Sequence, residues 1–256
     1  MMDLLDPPID EGAVEAKLAE LVRRHDLAGN FGIQVLNVVG GQAEKLLDRL
    51  PAEMRDRLGD GTEQALRLAM QAAHGSRSVV GGQPGWLNRA VTTAMGAAGG
   101  LGGLPSAMAE LPITTTILLR AIQDVAAEQG FDPDEEGVRF DCIQVFAAAG
   151  PLDHADGSDL AFLSTRVAVT GKTMQALIAR VAPRLSTVLG QKLAAQMVPV
   201  LGAAAGAATN YAYTSYYQQM AHVHFGLRRL AIISDRDHAE LVEAFRARLK
   251  KPVIRG

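Results

Sequence analysis

Between Glu11 and Arg24 the apolar residues Val14, Leu18, Leu21 and Val22 recur at helical spacing, with charged residues between them. This is the pattern of an amphipathic helix. A second helical stretch follows from about Phe31 to Leu58, with interruptions expected at Gly40-Gly41 and Pro51. Asp60-Gly61 reads as a turn, and Thr62 to Ala73 returns to the helical period. The segment "HGSRSVVGGQPG", His74 to Gly85, has little periodicity and is rich in glycine, serine and proline. It reads as a linker. In "ELPITTTILLRAIQDVAAEQG", Leu111, Thr115, Leu118, Ile122 and Val125 fall on one helical face. Pro112 either opens that helix or kinks a longer one, and Gly130 is its expected stop. Asp132-Pro133-Asp134 starts a further helix towards Ala149. "GPLDHADGSD" is a loop, and a capped helix runs from it to about Ala182. Pro183 to Ala208 is helical, with breaks expected at Gly190 and Pro199. The last two helices are expected over Asn210 to Ile233 and Asp235 to Lys250. Strand-like alternation with hairpin-spaced turns is missing.

Composition narrows this picture. Apolar residues make up 48% of the chain and charged ones 21%, a balance that can bury a sizeable core. The formal net charge of −3 gives no general case for nucleic acid. Cys142 is the one cysteine, so an intrachain disulfide is excluded. It shares a helical face with Val138 and Val145 and reads as a core thiol. The acidic, proline-bearing start "MMDLLDPPIDEG" is unlike a secretory signal, so a cytoplasmic location is expected.

Few motifs carry chemistry. "TGKT" at Thr170 to Thr173 lacks the first glycine of a phosphate loop, because Arg166 stands there, and its context is helical. "GGLGG" at Gly99 to Gly103 does not complete a dinucleotide fingerprint, since Pro105 takes the third glycine position. His222 and His224 lie two apart on a helix, about 200 degrees round its axis, so they would not share one metal ion. No metal or cofactor is implied. A hydrolase built from His154, Asp153 or Glu110 requires these residues to meet in the fold.

Two segments lack formal charge: Ala90 to Ala109, and the stretch between Lys192 and Arg228 apart from its histidines. Each has small residues one turn apart, as Gly96 and Gly100, Gly99 and Gly103, and Gly202 and Gly206. That spacing lets helix backbones approach closely. A membrane span, a buried helical hairpin and insertion at a membrane surface are three readings of these runs. Alanine and glycine dominate them, while Leu, Ile and Phe are sparse, which weakens the span. All four tyrosines lie in the second run, just after its Gly/Ala stretch. On that helix Tyr216, Met220, Val223, Leu227 and Leu230 form the core stripe. Asn210, Tyr213, Tyr217, His224 and Arg228 are expected at the core edge, and Thr214, Gln218, His222 and Arg229 on the far side. Edge tyrosines bury a ring and keep a hydroxyl for a partner, either in a structural network or on the wall of a lipophilic cavity. Glu110 is the lone acid between Arg89 and Arg120, and is either a helix-start acid or a functional one.

The segments "GAAGGLGGLPSAMAELPITTTILLRAI", "IQDVAAEQGFDPDEE" and "VPVLGAAAGAATNYAYTSYYQQMAHVHFGLRRL" resemble the EcsC family of bacterial proteins. The resemblance covers about Trp86 to Leu249, with Glu110, Gly202, Gly206, Asn210 and Arg229 at family-like positions. It implies a helical, membrane-related accessory protein and no particular reaction. The family's founding member is encoded beside the components of an ABC transporter.

The expected architecture is all-α: a single multi-helix bundle of about nine to eleven helices around a close-packed Gly/Ala-rich pair. Residues 1–75 form an N-terminal helical region, and 86–256 the EcsC-like helical domain. The expected activity is non-enzymatic binding of lipid or another apolar ligand at the inner face of a membrane. Glu110, Asn210, Tyr213, Tyr217, His224 and Arg228 are the candidate ligand contacts. A subunit that binds a membrane transporter or secretion system is the alternative. The C-terminal line of Leu241, Phe245 and Leu249, flanked by Arg246, Arg248, Lys250 and Lys251, either rests on anionic lipid or packs on the bundle.

Overall fold

The computed structural model describes residues 7–39, 47–79, 111–148, 163, 171–196 and 202–249. Among these, seven α-helices occur and no strand: α1 (Glu11–Val39), α2 (Ala52–Val79), α3 (Leu111–Glu128), α4 (Glu136–Val145), α5 (Gly171–Gln196), α6 (Gly202–Ser234) and α7 (His238–Leu249). A 3-10 turn, Leu47–Arg49, precedes α2. The fold is all-helical as expected, but the count of nine to eleven is not matched among the described residues.

Among the described residues, several glycines interrupt the pattern without ending the helix. α1 runs unbroken past Arg24. α2 runs through Gly59-Asp60-Gly61, where a turn is expected, and takes in His74 to Val79, the first half of the expected linker. Leu58, Thr62, Ala65, Leu66 and Ala69 are buried along one side of α2, and that packing outweighs the weak propensity of two glycines. α5 likewise passes through Pro183 and Gly190. At Gly190 an added Cβ would lie 2.6 Å from Leu47 Cδ2 and 2.9 Å from Leu58 Cδ1, so this glycine is a contact point and not a break. The Gly/Ala run and the tyrosine segment form one helix of 33 residues.

Where helices do stop, the ends are specified locally. Asp10 caps α1, its Oδ1 accepting from the Ala13 amide at 2.8 Å. At the end of α3, Gly130 has φ +83°, the Phe131 amide donates to Ala126 and the Gly130 amide to Ala127. This is the glycine stop the sequence indicates. Asp235 plays the same part after α6, with φ +52° and the Arg236 amide donating to Ala231. Asp237 then caps α7 by accepting from the Ala239 amide at 2.6 Å.

α6 is the centre of the molecule. α1 and α7 pack along it, as do α3, α4 and α5, while α2 lies against α3 and α5. The stripe Tyr216, Met220, Val223, Leu227 and Leu230 is buried as expected. Tyr213 and Tyr217 are buried completely, not at an edge, and Thr214 and Gln218 on the expected far side are buried too. Neighbours on several sides leave this part of α6 no solvent face. Cys142 is buried with Val138 and Val145. In α7, Leu241, Val242 and Phe245 are buried in the bundle, so this apolar line is already used. Among the described residues no helix is long and apolar enough to cross a membrane.

Candidate functional site

Glu110, Gly96, Gly99, Gly100 and Gly103, with Asp153 and His154, lie outside the described residues. Gly202 and Gly206 fall in the first two turns of α6. The other expected contacts are all on α6, but they do not meet at one point. Asn210 and Arg228 are separated by about 27 Å along the axis at 1.5 Å per residue. They divide into an inner group and a second group near the α3–α4 connection.

The inner group is Asn210, Tyr213 and Tyr217. Asn210 is 4% exposed and both tyrosines 0%. The Tyr217 ring packs edge-on to Phe146 at 5.1 Å and to Tyr216 at 5.3 Å. Burial pushes the Tyr217 phenol well above its ordinary range, and the nearby Arg184 charge opposes this only in part. Among the described residues these side chains are buried in the interior of the bundle. Lys192 of α5, 3% exposed, points its Nζ at Thr114 Oγ1, 3.3 Å away. The sequence shows Lys192 only as the edge of an uncharged stretch, so its burial was not legible there.

The second group joins His224 and Arg228 through a residue that sequence reasoning missed. Asp141 of α4 accepts from Arg228 with one carboxylate oxygen, while its other oxygen lies 3.5 Å from His224 Nε2. The Arg228 guanidinium stands 4.6 Å over the Phe131 ring. Phe131 in turn meets Phe225 at 5.5 Å. Asp141 is flanked by Phe140 and Cys142, and a lone acid in such an apolar run must find a cation. The two neighbouring histidines do part company: His222 Nε2 is 3.9 Å from Glu128, and His224 goes to Asp141.

An open cleft of about 220 Å³ lies between α1, the end of α3 and the C-terminal half of α6. Leu21, Gly226, Leu230 and Ile233 contribute its apolar lining. The helices come close here because Gly226 has no side chain, and a Cβ there would lie 2.6 Å from Leu21 Cδ2. Polar groups lining the cleft are Lys17, Glu20 and Arg24 from α1, Gln129 beyond α3, and His222 and Arg229 from α6. Glu20 lies 3.4 Å from Lys17 and 3.3 Å from Arg24. Burial raises its pKa, but the charges and hydrogen bonds of Lys17 and Arg24 together bring it below the ordinary carboxylate value. Arg24 also donates to Gln219 at 3.3 Å. The Arg229 guanidinium passes over Gly130, with Nη1 3.6 Å from where a Cβ would stand. The sequence pattern presents Lys17, Glu20 and Arg24 as ordinary solvated charges, because periodicity says nothing of which helix lies opposite.

Among the described residues no group of three or more His, Cys, Asp or Glu side chains is placed to hold a metal ion. Comparison with curated proteins and with solved structures gives no significant match. The family description of the EcsC proteins matches residues 83–230. The match takes in α3 to α5 and most of α6, including Asp141, His224, Arg228 and the α6 side of the cleft, and on that extent the chain belongs to the EcsC protein family.

Proposed function

We propose that this protein is a non-enzymatic accessory protein that associates with the cytoplasmic face of a membrane and binds lipid or another apolar ligand. The observation that carries this reading is the cleft between α1 and α6, where apolar side chains line an opening to the surface. Apolar surface from Leu21, Leu230 and Ile233 stands there beside convergent polar groups, the two components of small-molecule sites. With no membrane-crossing helix among the described residues, association is taken to be peripheral. The role beside a transport system rests on the family's character and is part of the same proposal.

The test is native purification followed by mass spectrometry for bound lipid, with flotation on vesicles. Co-purified lipid or flotation is the expected result. A protein that carries no lipid and stays with the soluble fraction would overturn the reading. If such a protein retained a stable membrane protein in a pull-down, it would be an interaction subunit instead.

A further inference from the structure

We infer that the cleft between α1 and α6 is an oxyanion site, shaped for the phosphate or carboxylate head of an amphiphile. This deepens the ligand-binding reading but does not depend on membrane association. Lys17, Arg24 and Arg229 carry permanent positive charge into one small cleft, whereas Glu20 is the one acid among the described residues that line it. These three cations meet there on a chain whose formal net charge is −3. Closer pairs occur elsewhere, as Arg67 with Glu63 at 2.7 Å and Arg246 with Glu243 at 2.8 Å. In the cleft one carboxylate is shared by two cations at 3.3–3.4 Å, longer than the roughly 2.7–2.9 Å of a strong charge-assisted bond.

The geometry supports the same ligand class. Arg24 and Arg229 come from helices distant in sequence and present planar donor groups, which match the oxygens of phosphate and carboxylate. Gly130, held at φ +83°, leaves room beside the Arg229 guanidinium that a side chain would take. Leu21, Leu230 and Ile233 add apolar surface for a short hydrocarbon stem. At about 220 Å³ the cleft is smaller than the roughly 300–1,000 Å³ of drug-sized ligand pockets, a size for a head group and not for a whole lipid.

The experiment is titration calorimetry on the full chain with inorganic phosphate, dihexanoyl phosphatidic acid and dihexanoyl phosphatidylcholine. Phosphatidic acid is expected to bind at least about tenfold more tightly than the zwitterionic lipid. Arg24→Gln with Arg229→Gln is expected to weaken it by about tenfold or more, as lost charge-assisted bonds would. Arg67→Gln, on the far helix α2, should leave it unchanged. Equal affinity for the two lipids, or an unaffected double variant, would overturn the inference. Should the double variant fail to fold, Lys17→Gln decides: its side chain is 58% exposed, and undiminished binding counts against the site. Binding of inorganic phosphate as tight as the lipid assigns a free oxyanion, and preference for the amphiphile assigns a lipid head. Absence of both overturns the proposal. Vesicle flotation that fails while a titration succeeds removes the membrane reading and leaves the oxyanion site standing.

Discussion

Tyr217 places its ring between Phe146 and Tyr216, while its buried hydroxyl has no hydrogen-bond partner among the described residues. Removing an unsatisfied buried hydroxyl relieves a desolvation penalty, so Tyr217→Phe is expected to stabilise the protein by about 1 kcal/mol in urea unfolding. The alkaline limb should change as well. Because the folded-state pKa of this phenol is raised, its contribution is complete below the ordinary tyrosine value of about 10. That contribution is lost as pH rises beyond it, since the unfolded chain ionises first. Stability measured from pH 8 to 11 should fall less steeply in the phenylalanine variant. The periodicity identified Tyr216 as core but left Tyr213 and Tyr217 at an edge. A single helical period finds the most apolar face and has no means of detecting that other faces are covered. Asp141 illustrates the same limit for charge, since its partners lie on another helix 83 and 87 positions away.

At the level of the helices, glycine has two opposite meanings that sequence alone does not separate. Gly61 in α2 has nothing within 4 Å of its missing Cβ, whereas Gly190 in α5 faces Leu47, Leu58 and Leu50. Gly61→Ala is therefore expected to raise stability by about 0.5–1 kcal/mol through helix propensity. Gly190→Ala gains the same propensity but overpacks a leucine cluster, at about 1–3 kcal/mol, for a net loss of about 1 kcal/mol. Thermal melts of the two variants should move in opposite directions, and matching shifts would refute the distinction. The apolar faces of α1, α3 and α6 were legible because each follows one period over several turns. The end at Gly130 was legible from turn chemistry, whereas the last helix starts at His238 and not at the expected Asp235. The continuity of α2 was not legible, because burial of one side overrides two glycines that in isolation would mark a turn.

On the scale of the whole molecule, the family match begins at residue 83, yet the core it describes is covered by helices before it. α1 lies along α6, and α2 packs on α3 and α5. Exposed ion pairs from Glu11 to Arg236 and from Glu15 to Arg248 join α1 to the C-terminal region, and contribute less than its buried Val14, Leu18 and Leu21. A fragment starting at residue 83 is expected to lose cooperative unfolding, because it uncovers sides of α3, α5 and α6 together. Circular dichroism through a urea titration checks this, and a sharp transition like that of the full chain would contradict it. The cleft belongs to this scale as well. Its family half was visible as Arg229, but its α1 half became a site only once the two helices were brought together.

The central position of α6 also bears on how the chain is made. Arg24 and Gln219, which touch across the α1–α6 contact, are 195 positions apart. At about 5–20 residues per second, α1 leaves the ribosome roughly ten to forty seconds before its partner exists. Throughout that interval Val14, Leu18 and Leu21 have no α6 to cover them, and docking them later requires closing a long loop. The helix that completes the fold is synthesised long after α1, so the nascent chain is a natural client for chaperones that shield apolar helices.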